Sequence, residues 1–322
     1  MNQQCASTLS RRRFLGTGAA AAATLLAQPT LCQAAGAPNS NFGGVQIGTI
    51  TYSYRGMPGS AEDLLKYITQ CGISSVELMG DAAEQFAGVP SGAPRGRRGQ
   101  EMTEEQRNEA QQQREQQLNW RLSVSMDKYK ALRKLYNDAG VNIHIVKFGN
   151  IGDANMSDGE IDYYFNIAKA LGAKGITREL SEDAAKRLGS IADTHEIMIG
   201  FHNHTQITPT TYDGPILSYG KYLGINLDVG HYLAGVSESP IPLIKKYHDR
   251  IISLHIKDRK LNNGPNMPFG RGDTPVAEIL QLLKKEEWPI YADIELEYEV
   301  PKESNAIAEI TKCVQFCKDA LA

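Results

Sequence analysis

The 322-residue chain has little cysteine and little net charge. Two of its five cysteines, Cys5 and Cys32, lie in the first 35 residues, and the other three (Cys71, Cys313 and Cys317) follow no regular spacing. This pattern argues against a disulfide framework and against a cysteine zinc site. A formal net charge of −3 gives no reason to expect nucleic acid or an anionic membrane as a partner.

The chain also lacks a glycine-rich phosphate loop after its first predicted strand, which argues against a dinucleotide-binding fold. Eight segments are typical of strands: 45–54, 75–79, 141–149, 175–180, 197–204, 223–231, 251–258 and 289–297. Amphipathic segments typical of helices lie between many of them, among them 61–70, 128–138, 160–171, 182–194 and 276–285. Eight alternating units predict an α/β fold with a parallel sheet closed into a single-domain (β/α)8 TIM barrel.

The N-terminus is typical of an export signal. Arg11, Arg12 and Arg13 precede Phe-Leu, then an alanine-rich apolar run over 16–27, then small residues at 34–35. The pattern predicts a twin-arginine-type signal peptide over 1–35, a mature barrel over 36–322 without a membrane span, and a periplasmic location. The alternative is an accidental basic cluster before an alanine-rich helix.

One stretch, residues 86–125, interrupts the strand–helix alternation. Its first part is rich in proline, glycine and arginine, and its second part, 101–117, is rich in glutamate, glutamine and arginine. The composition predicts a loop followed by a solvated helix, inserted after the second strand. It is interpreted as a surface insertion, with a lid or an oligomer contact as the functional alternative.

Ionisable or imidazole side chains stand at the carboxyl ends of five consecutive predicted strands, where TIM-barrel active sites form. They are Glu179, His202, His204, Asp228, His231, His255, Lys257, Glu295 and Glu297. A single strand histidine is usually a core residue, but four on three successive strand ends are harder to explain that way. Carboxylates meeting at one point would repel one another unless a cation neutralised them. A mixed carboxylate and imidazole set suits Mn²⁺, Mg²⁺, Co²⁺ or Zn²⁺.

Four motifs carry a resemblance to a known family. Residues 199–204 (IGFHNH), 227–231 (LDVGH), 254–258 (LHIKD) and 294–297 (IELE), together with the loop 269–273 (FGRGD), resemble the xylose-isomerase-like sugar isomerase/epimerase superfamily. The resemblance covers roughly residues 45–320 without the insertion. Among its branches, the His-Asn-His run resembles the inosose dehydratases and related 3-keto-sugar-processing proteins. Several relatives carry a glutamate soon after that run, where this chain has Gln206, Ile207 and Thr208.

The resemblance implies one divalent metal ion, Mn²⁺ first, with Glu179, Asp228, His255 and Glu295 as its ligands and Glu297 as the fallback for Glu295. It implies a substrate pocket lined by His202, His204, His231 and Lys257. Glu77 and Lys147, at the ends of earlier strands, are expected to touch substrate hydroxyls or to be polar rim residues. Glu179 or Glu295 would double as acid/base, with His202, His204 or Lys257 polarising a carbonyl or serving a leaving group.

The expected activity is that of a sugar isomerase or epimerase, which removes a proton next to a metal-bound carbonyl. Export favours a free sugar or keto-sugar over a phosphorylated one. Three alternatives stay open: a lyase or hydratase acting on 3-keto-glycosides, a non-catalytic sugar-binding barrel, and a metal-dependent abasic-site nuclease, which the net charge and the export signal disfavour. The expected partner is a small carbohydrate, and a homo-oligomer is compatible with the sequence.

Overall fold

The computed structural model describes residues 36–91 and 102–322. The predicted signal peptide, 1–35, and residues 92–101 of the predicted insertion lie outside the described residues. The structure from Ala37 to Ala322 forms one compact unit.

Eight parallel strands form a closed barrel, as the sequence predicted. Each strand pairs with its neighbours in chain order, and the first strand pairs with both the second and the last, which closes the sheet. The strands are β1 (Val45–Ile50), β2 (Ser75–Met79), β3 (Asn142–Lys147), β4 (Gly175–Glu179), β5 (Met198–His202), β6 (Leu223–Asp228), β7 (Ile251–Ile256) and β8 (Tyr291–Ile294).

Ten α-helices in the described residues surround the barrel. They are α1 (Ala61–Gln70), α2 (Gly80–Ala87), α3 (Glu104–Arg121), α4 (Asp127–Asp138), α5 (Asp158–Leu171), α6 (Glu182–His195), α7 (Val229–Val236), α8 (Ile241–Tyr247), α9 (Val276–Glu286) and α10 (Ala306–Ala320). Short 3-10 helices span Thr51–Tyr54, Thr211–Asp213 and Pro215–Leu217, and two-residue strands span Asn41–Phe42, Asp258–Arg259 and Asn266–Met267. No helix of the described residues is long and apolar enough to cross a membrane.

Local sequence explains where the helices begin and end. The Ser60 side chain accepts a hydrogen bond from the Asp63 amide and caps α1, and Ser157 caps α5 in the same way. Helix α5 ends at Gly172, which has a φ of +74° that favours glycine. These signals agree with the predicted helices to within one or two residues.

All the predicted strands except the second run past the observed strand ends, and the eighth ends at Ile294, so Glu295 and Glu297 lie beyond it. The first ends at Ile50, before the 3-10 helix Thr51–Tyr54. The fifth ends at His202, so His204 lies in a loop, and the sixth ends at Asp228. The Asp228 side chain accepts the His231 amide hydrogen and begins α7, so His231 lies in a helical first turn rather than on a strand.

The predicted solvated helix of the insertion is present as α3. It begins with a capping box, in which Thr103 and Gln106 each accept a backbone hydrogen bond from the other. Ala110 is its one fully buried residue. Helix α3 therefore mostly faces solvent, as its polar composition predicted.

A polar pair lies inside the barrel, away from the carboxyl ends of the strands. His144 on β3 contacts Asp293 on β8, with 2.9 Å between Nε2 and Oδ2, and Ser75 Oγ lies 2.8 Å from His144 Nδ1. Tyr291 stacks on the imidazole with 3.9 Å between ring centroids. All three hydrogen-bonded residues are buried, and Ser75 and Asp293 together engage both nitrogens of the His144 imidazole.

Candidate active site

Four side chains at the carboxyl ends of β5–β8 could hold a metal ion. His202, Asp228, His255 and Glu295 each place one ligand atom so that all four atoms lie within 4.8 Å of one another, and all four residues are buried. We call these residues the four-donor group. Because they come from four successive strands, the closed barrel itself brings them together.

The register of the parallel strands explains this convergence. Asp228 pairs directly with His255, and His255 pairs with Asp293. Alternate residues of an extended chain face the same side, so Glu295, two residues after Asp293, rises on the side that faces His255. His255 Nδ1 lies 3.0 Å from Glu295 Oε2.

His255 also contacts a carboxylate below it, that of Glu77. Its Nε2 lies 2.9 Å from Glu77 Oε2. Burial alone would lower the pKa of His255, but the charges of Glu77 and Glu295 and their hydrogen bonds raise its pKa to about 10. A carboxylate on the second nitrogen is the arrangement that orients a metal-binding histidine.

Glu77 does not lie where the sequence analysis expected it. Rather than reaching substrate hydroxyls, it is fully buried, and its carboxylate contacts Thr177 Oγ1 at 2.5 Å, Asn226 Nδ2 at 3.4 Å and His255. These contacts fix the Glu77 carboxylate beneath the four-donor group, where it orients the His255 imidazole.

Lys257 places its ammonium group among three carboxylates. Its Nζ lies 2.9 Å from Asp228 Oδ2, 2.9 Å from Glu295 Oε2 and 2.6 Å from Glu297 Oε2. Burial opposes the charged form, but these carboxylates outweigh it and raise the pKa of Lys257. The same ammonium and His255 hold the pKa of Glu295 well below its usual range, against the effect of burial. Lys257 and Glu297, which the sequence predicted to belong to the site, therefore both border the four-donor group.

Glu179 lies beside the four-donor group and not in it. Its Oε1 lies 3.0 Å from Lys147 Nζ and its Oε2 lies 2.9 Å from His204 Nε2, and its side chain is 41% exposed. Burial would raise its pKa, but the hydrogen bond from His204 and the charge of Lys147 lower its pKa to about 2. The structure thus brings together three of the four predicted ligands, and Glu179 as a ligand stays a prediction.

His202 takes the fourth place and has the protonation state that metal binding requires. Burial and the nearby charge of Lys147 lower its pKa well below the usual value, so it is neutral. Its Nδ1 lies 2.7 Å from Asn226 Oδ1, while the Asn226 amide nitrogen points to Ser253 Oγ at 2.6 Å. His202 therefore carries its hydrogen on Nδ1, which leaves the lone pair of Nε2 for a ligand.

The residues fit a divalent cation on one further observation. Three carboxylates share the Lys257 ammonium, which lies 2.9 Å from Asp228 Oδ2, 2.9 Å from Glu295 Oε2 and 2.6 Å from Glu297 Oε2. Carboxylates that meet in a buried site repel one another unless cations compensate their charge, which favours a further cation here. Two imidazole nitrogens and two carboxylate oxygens form a donor set suited to Mn²⁺, Co²⁺ or Zn²⁺.

Sequence reasoning missed two residues of the site. Arg259 Nη1 lies 2.6 Å from Nδ1 of His231, and because a guanidinium only donates, that nitrogen must accept. Asn226 connects His202, Ser253 and Glu77. Arg259 follows His255 and Lys257 at the same two-residue spacing, and this spacing could have identified Arg259 from the sequence.

The loop 269–273 is held by Asp258 of the adjoining motif. Asp258 accepts hydrogen bonds from the amides of Gly272, at 2.8 Å, and Thr274, at 3.1 Å. A side chain at position 272 would meet Asp258 Oδ1 at 1.9 Å, so only glycine fits there. The Arg-Gly-Asp tripeptide is thus part of a structural turn of the barrel.

Comparisons with solved structures support the fold. The chain is similar to a sugar phosphate isomerase/epimerase from Parabacteroides distasonis, with 18% identity, a TM-score of 0.52 and coverage of 85% of this chain and 93% of that one. It is also similar to a probable 3-DHS dehydratase from Bacillus anthracis (13%, TM-score 0.58, 83% and 97%) and to an L-ribulose 3-epimerase (12%, TM-score 0.57, 86% and 94%). No curated protein sequence matches the chain.

A family model described as a xylose isomerase-like TIM barrel matches residues 109–318, which is more than half of the chain. The match includes α4–α9, most of α10, β3–β8 and every member of the four-donor group. With the closed eight-stranded barrel, it confirms the resemblance read from the motifs. The chain belongs to the xylose isomerase-like TIM barrel family.

Proposed function

We propose that this chain is a divalent-metal-dependent sugar isomerase or epimerase that removes a proton next to the carbonyl of a free sugar or keto-sugar. The observation that carries the proposal is the four-donor group, whose two imidazoles and two carboxylates converge in a buried site. His202, Asp228, His255 and Glu295 would hold the cation. When bound, it would supply a Lewis acid that polarises the carbonyl and stabilises the charge developing on its oxygen.

Glu179 is the residue best placed to remove the proton. It is ionised, partly exposed, and fixed between Lys147 and His204 at the edge of the four-donor group. Glu295 is the second carboxylate of the pair on which acid/base chemistry would rest. Return of the proton to the opposite face of the same carbon gives an epimer, and its delivery to the neighbouring carbon gives an isomer.

His204 favours a lyase or hydratase acting on 3-keto-glycosides as a second candidate. The hydrogen bond and charge of Glu179 raise the pKa of His204, and its side chain is 54% exposed. A proton donor 2.9 Å from a carboxylate base suits removal of a proton and departure of a β-substituent in one site. The similarity to a probable dehydratase agrees with this alternative.

We further propose that the protein acts after export by the twin-arginine route, in the periplasm. Support comes from the sequence alone, from Arg11 to Leu15 and the alanine-rich run that follows. Cell fractionation of the full chain tests the location, with Arg11→Lys/Arg12→Lys as the export-deficient variant. Retention of the wild-type chain in the cytoplasm would contradict it.

Deuterium exchange tests the reaction. The metal-loaded protein is incubated in D2O with a panel of aldoses, ketoses and 3-keto-glycosides, and the sugars are followed by NMR and mass spectrometry. We expect deuterium on the carbon next to the carbonyl of one substrate, with a product of the same skeleton for an isomerase or epimerase and a released fragment for a lyase. A non-catalytic sugar-binding barrel would bind a sugar and exchange nothing.

Two matched variants place the exchange at the site. Glu179→Gln should slow exchange by about 10²- to 10⁴-fold, the usual contribution of a general base. Glu182→Gln, three residues on in the first turn of α6, removes a partly exposed surface carboxylate and should have no effect. Equal rates in both variants would contradict the role of Glu179.

A further inference from the structure

An open cleft lies between the inserted helix α3 and the barrel. Its volume is about 670 Å³, within the roughly 300–1,000 Å³ typical of small-molecule sites. Residues of α2, α3, α5 and the segment after β3 line it, including Asp81, Gln111, Arg114, Lys147, Asn150 and Asn155.

The inner end of the cleft opens on the proposed active site. Lys147 lines the cleft, and its ammonium lies 3.0 Å from Oε1 of Glu179. Gly149 lines it as well, and a side chain added there would come to 3.9 Å from the Glu179 carboxylate. A substrate whose reacting carbon lies near Glu179 therefore has room to extend into the cleft.

The outer wall of the cleft is held firmly. Arg121, the last residue of α3, donates to Glu84 at 2.8 and 3.1 Å and to Glu160 at 3.1 Å, and all three side chains are largely buried. Trp120 packs edge-on against Tyr163, with 6.4 Å between ring centroids. Helix α3 is thereby fixed to α2 and α5 and forms a wall of defined position.

The chemistry of the lining favours an uncharged ligand with hydroxyl groups. Amide side chains, which both donate and accept hydrogen bonds, face the cleft from both sides: Gln111 and Gln117 from α3, and Asn150 and Asn155 from the segment after β3. Phe148 and Met156 add apolar surface. Two of its three basic residues, Lys147 and Arg121, already pair with carboxylates, which disfavours a phosphate.

We propose that this cleft binds the uncharged, hydroxyl-bearing remainder of a glycoside while the keto-sugar ring of that glycoside lies at the four-donor group. Helix α3 then selects glycosides of a keto-sugar over the free monosaccharide. This inference rests on the proposed function, because it takes Glu179 to mark the reacting carbon.

Calorimetric binding to the metal-loaded protein tests the inference. The probes are glucose with cellobiose and phenyl β-glucoside, and galactose with lactose, so that the glycosyl and aromatic remainders are compared separately. The test variant is Gln111→Ala/Asn155→Ala, which removes one amide from each wall. Gln112→Ala, on the outer face of α3, is the matched control, because Gln112 borders a different surface. Alanine in place of glutamine preserves an exposed helix.

We expect the glycosides to bind more tightly than the monosaccharides. The double variant should weaken glycoside binding about tenfold, as expected for two lost hydrogen bonds, with no change for the monosaccharide or in Gln112→Ala. Equal affinity for glycoside and monosaccharide, or equal loss of both in the double variant, would overturn the cleft as a subsite and leave the proposed function standing. A protein that binds no probe and exchanges no deuterium with any sugar would overturn both.

Discussion

Two histidine–carboxylate pairs lie in the same barrel and differ in what surrounds them. His144 and Asp293 are enclosed inside the barrel, where Ser75 and the Tyr291 ring complete the surroundings of the imidazole. His255 and Glu295 lie at the carboxyl ends of β7 and β8, only two residues further along β8. Among the described residues, the inner pair belongs to no group of three or more potential metal ligands, whereas the outer pair adjoins Asp228, His202 and Lys257. A buried histidine–carboxylate pair alone therefore does not indicate an active site. The convergence of several ligand donors and their access to a cleft do indicate one.

Loss of the outer carboxylate should have the largest effect. Glu295→Gln removes a donor and a proposed acid/base group, so we expect turnover of the substrate found by deuterium exchange to fall about 10²- to 10⁴-fold. Steady-state kinetics measure this, with circular dichroism to show that the variant is folded. Turnover within a factor of a few of the wild type would remove Glu295 from the mechanism.

Loss of the inner histidine should affect stability and spare the chemistry. His144→Leu leaves Asp293 buried without its partner, and we expect the free energy of unfolding to fall by about 3 kcal/mol. Denaturant titration measures this. Turnover per folded molecule should stay near the wild-type value, and a collapse like that of Glu295→Gln would show that the two pairs act as one unit.

The smallest effect should be a change in protonation at the rim. Glu179 raises the pKa of His204 through its hydrogen bond and its charge, and the charge of Asp228 raises this pKa as well. Burial and the charge of Lys257 lower it. In Glu179→Gln the pKa of His204, followed by NMR titration of the imidazole, should fall. An unchanged pKa would mean that the two side chains do not interact in solution.

The same pair has a defined pH window. The raised pKa of His204 makes its contribution to stability complete below the usual histidine pKa of about 6.5 and lost as pH rises through the folded value. The pKa of Glu179, lowered to about 2, makes its contribution complete above about 4.5 and lost as pH falls toward 2. The pair is strongest between these limits, at under about 1 kcal/mol because both side chains are partly exposed.

The sequence predicted the barrel and most of its rim because both follow from local patterns. Alternation of strands and helices indicates a closed parallel sheet, and polar residues at strand ends must meet at one face. Glu77 shows the limit of this reasoning: its contact with His255 joins β2 to β7 across the barrel, and no local pattern encodes that distance. Likewise, Glu179 pairs with Lys147, the last residue of β3, and with His204, in the loop after β5, and no local pattern encodes either distance. His231 was assigned to a strand because the capping role of Asp228 was not recognised.

Metal content tests the central claim most directly. The purified chain is loaded with Mn²⁺, Co²⁺ or Zn²⁺, desalted, and measured by inductively coupled plasma mass spectrometry beside Asp228→Asn, Glu295→Gln and the control Asp293→Asn. We expect about one tightly held ion per wild-type chain, kept in Asp293→Asn and lost in the two variants of the four-donor group. Wild-type protein that holds no metal under any loading condition, or an ion that persists in Asp228→Asn and Glu295→Gln, would contradict the proposed metal site.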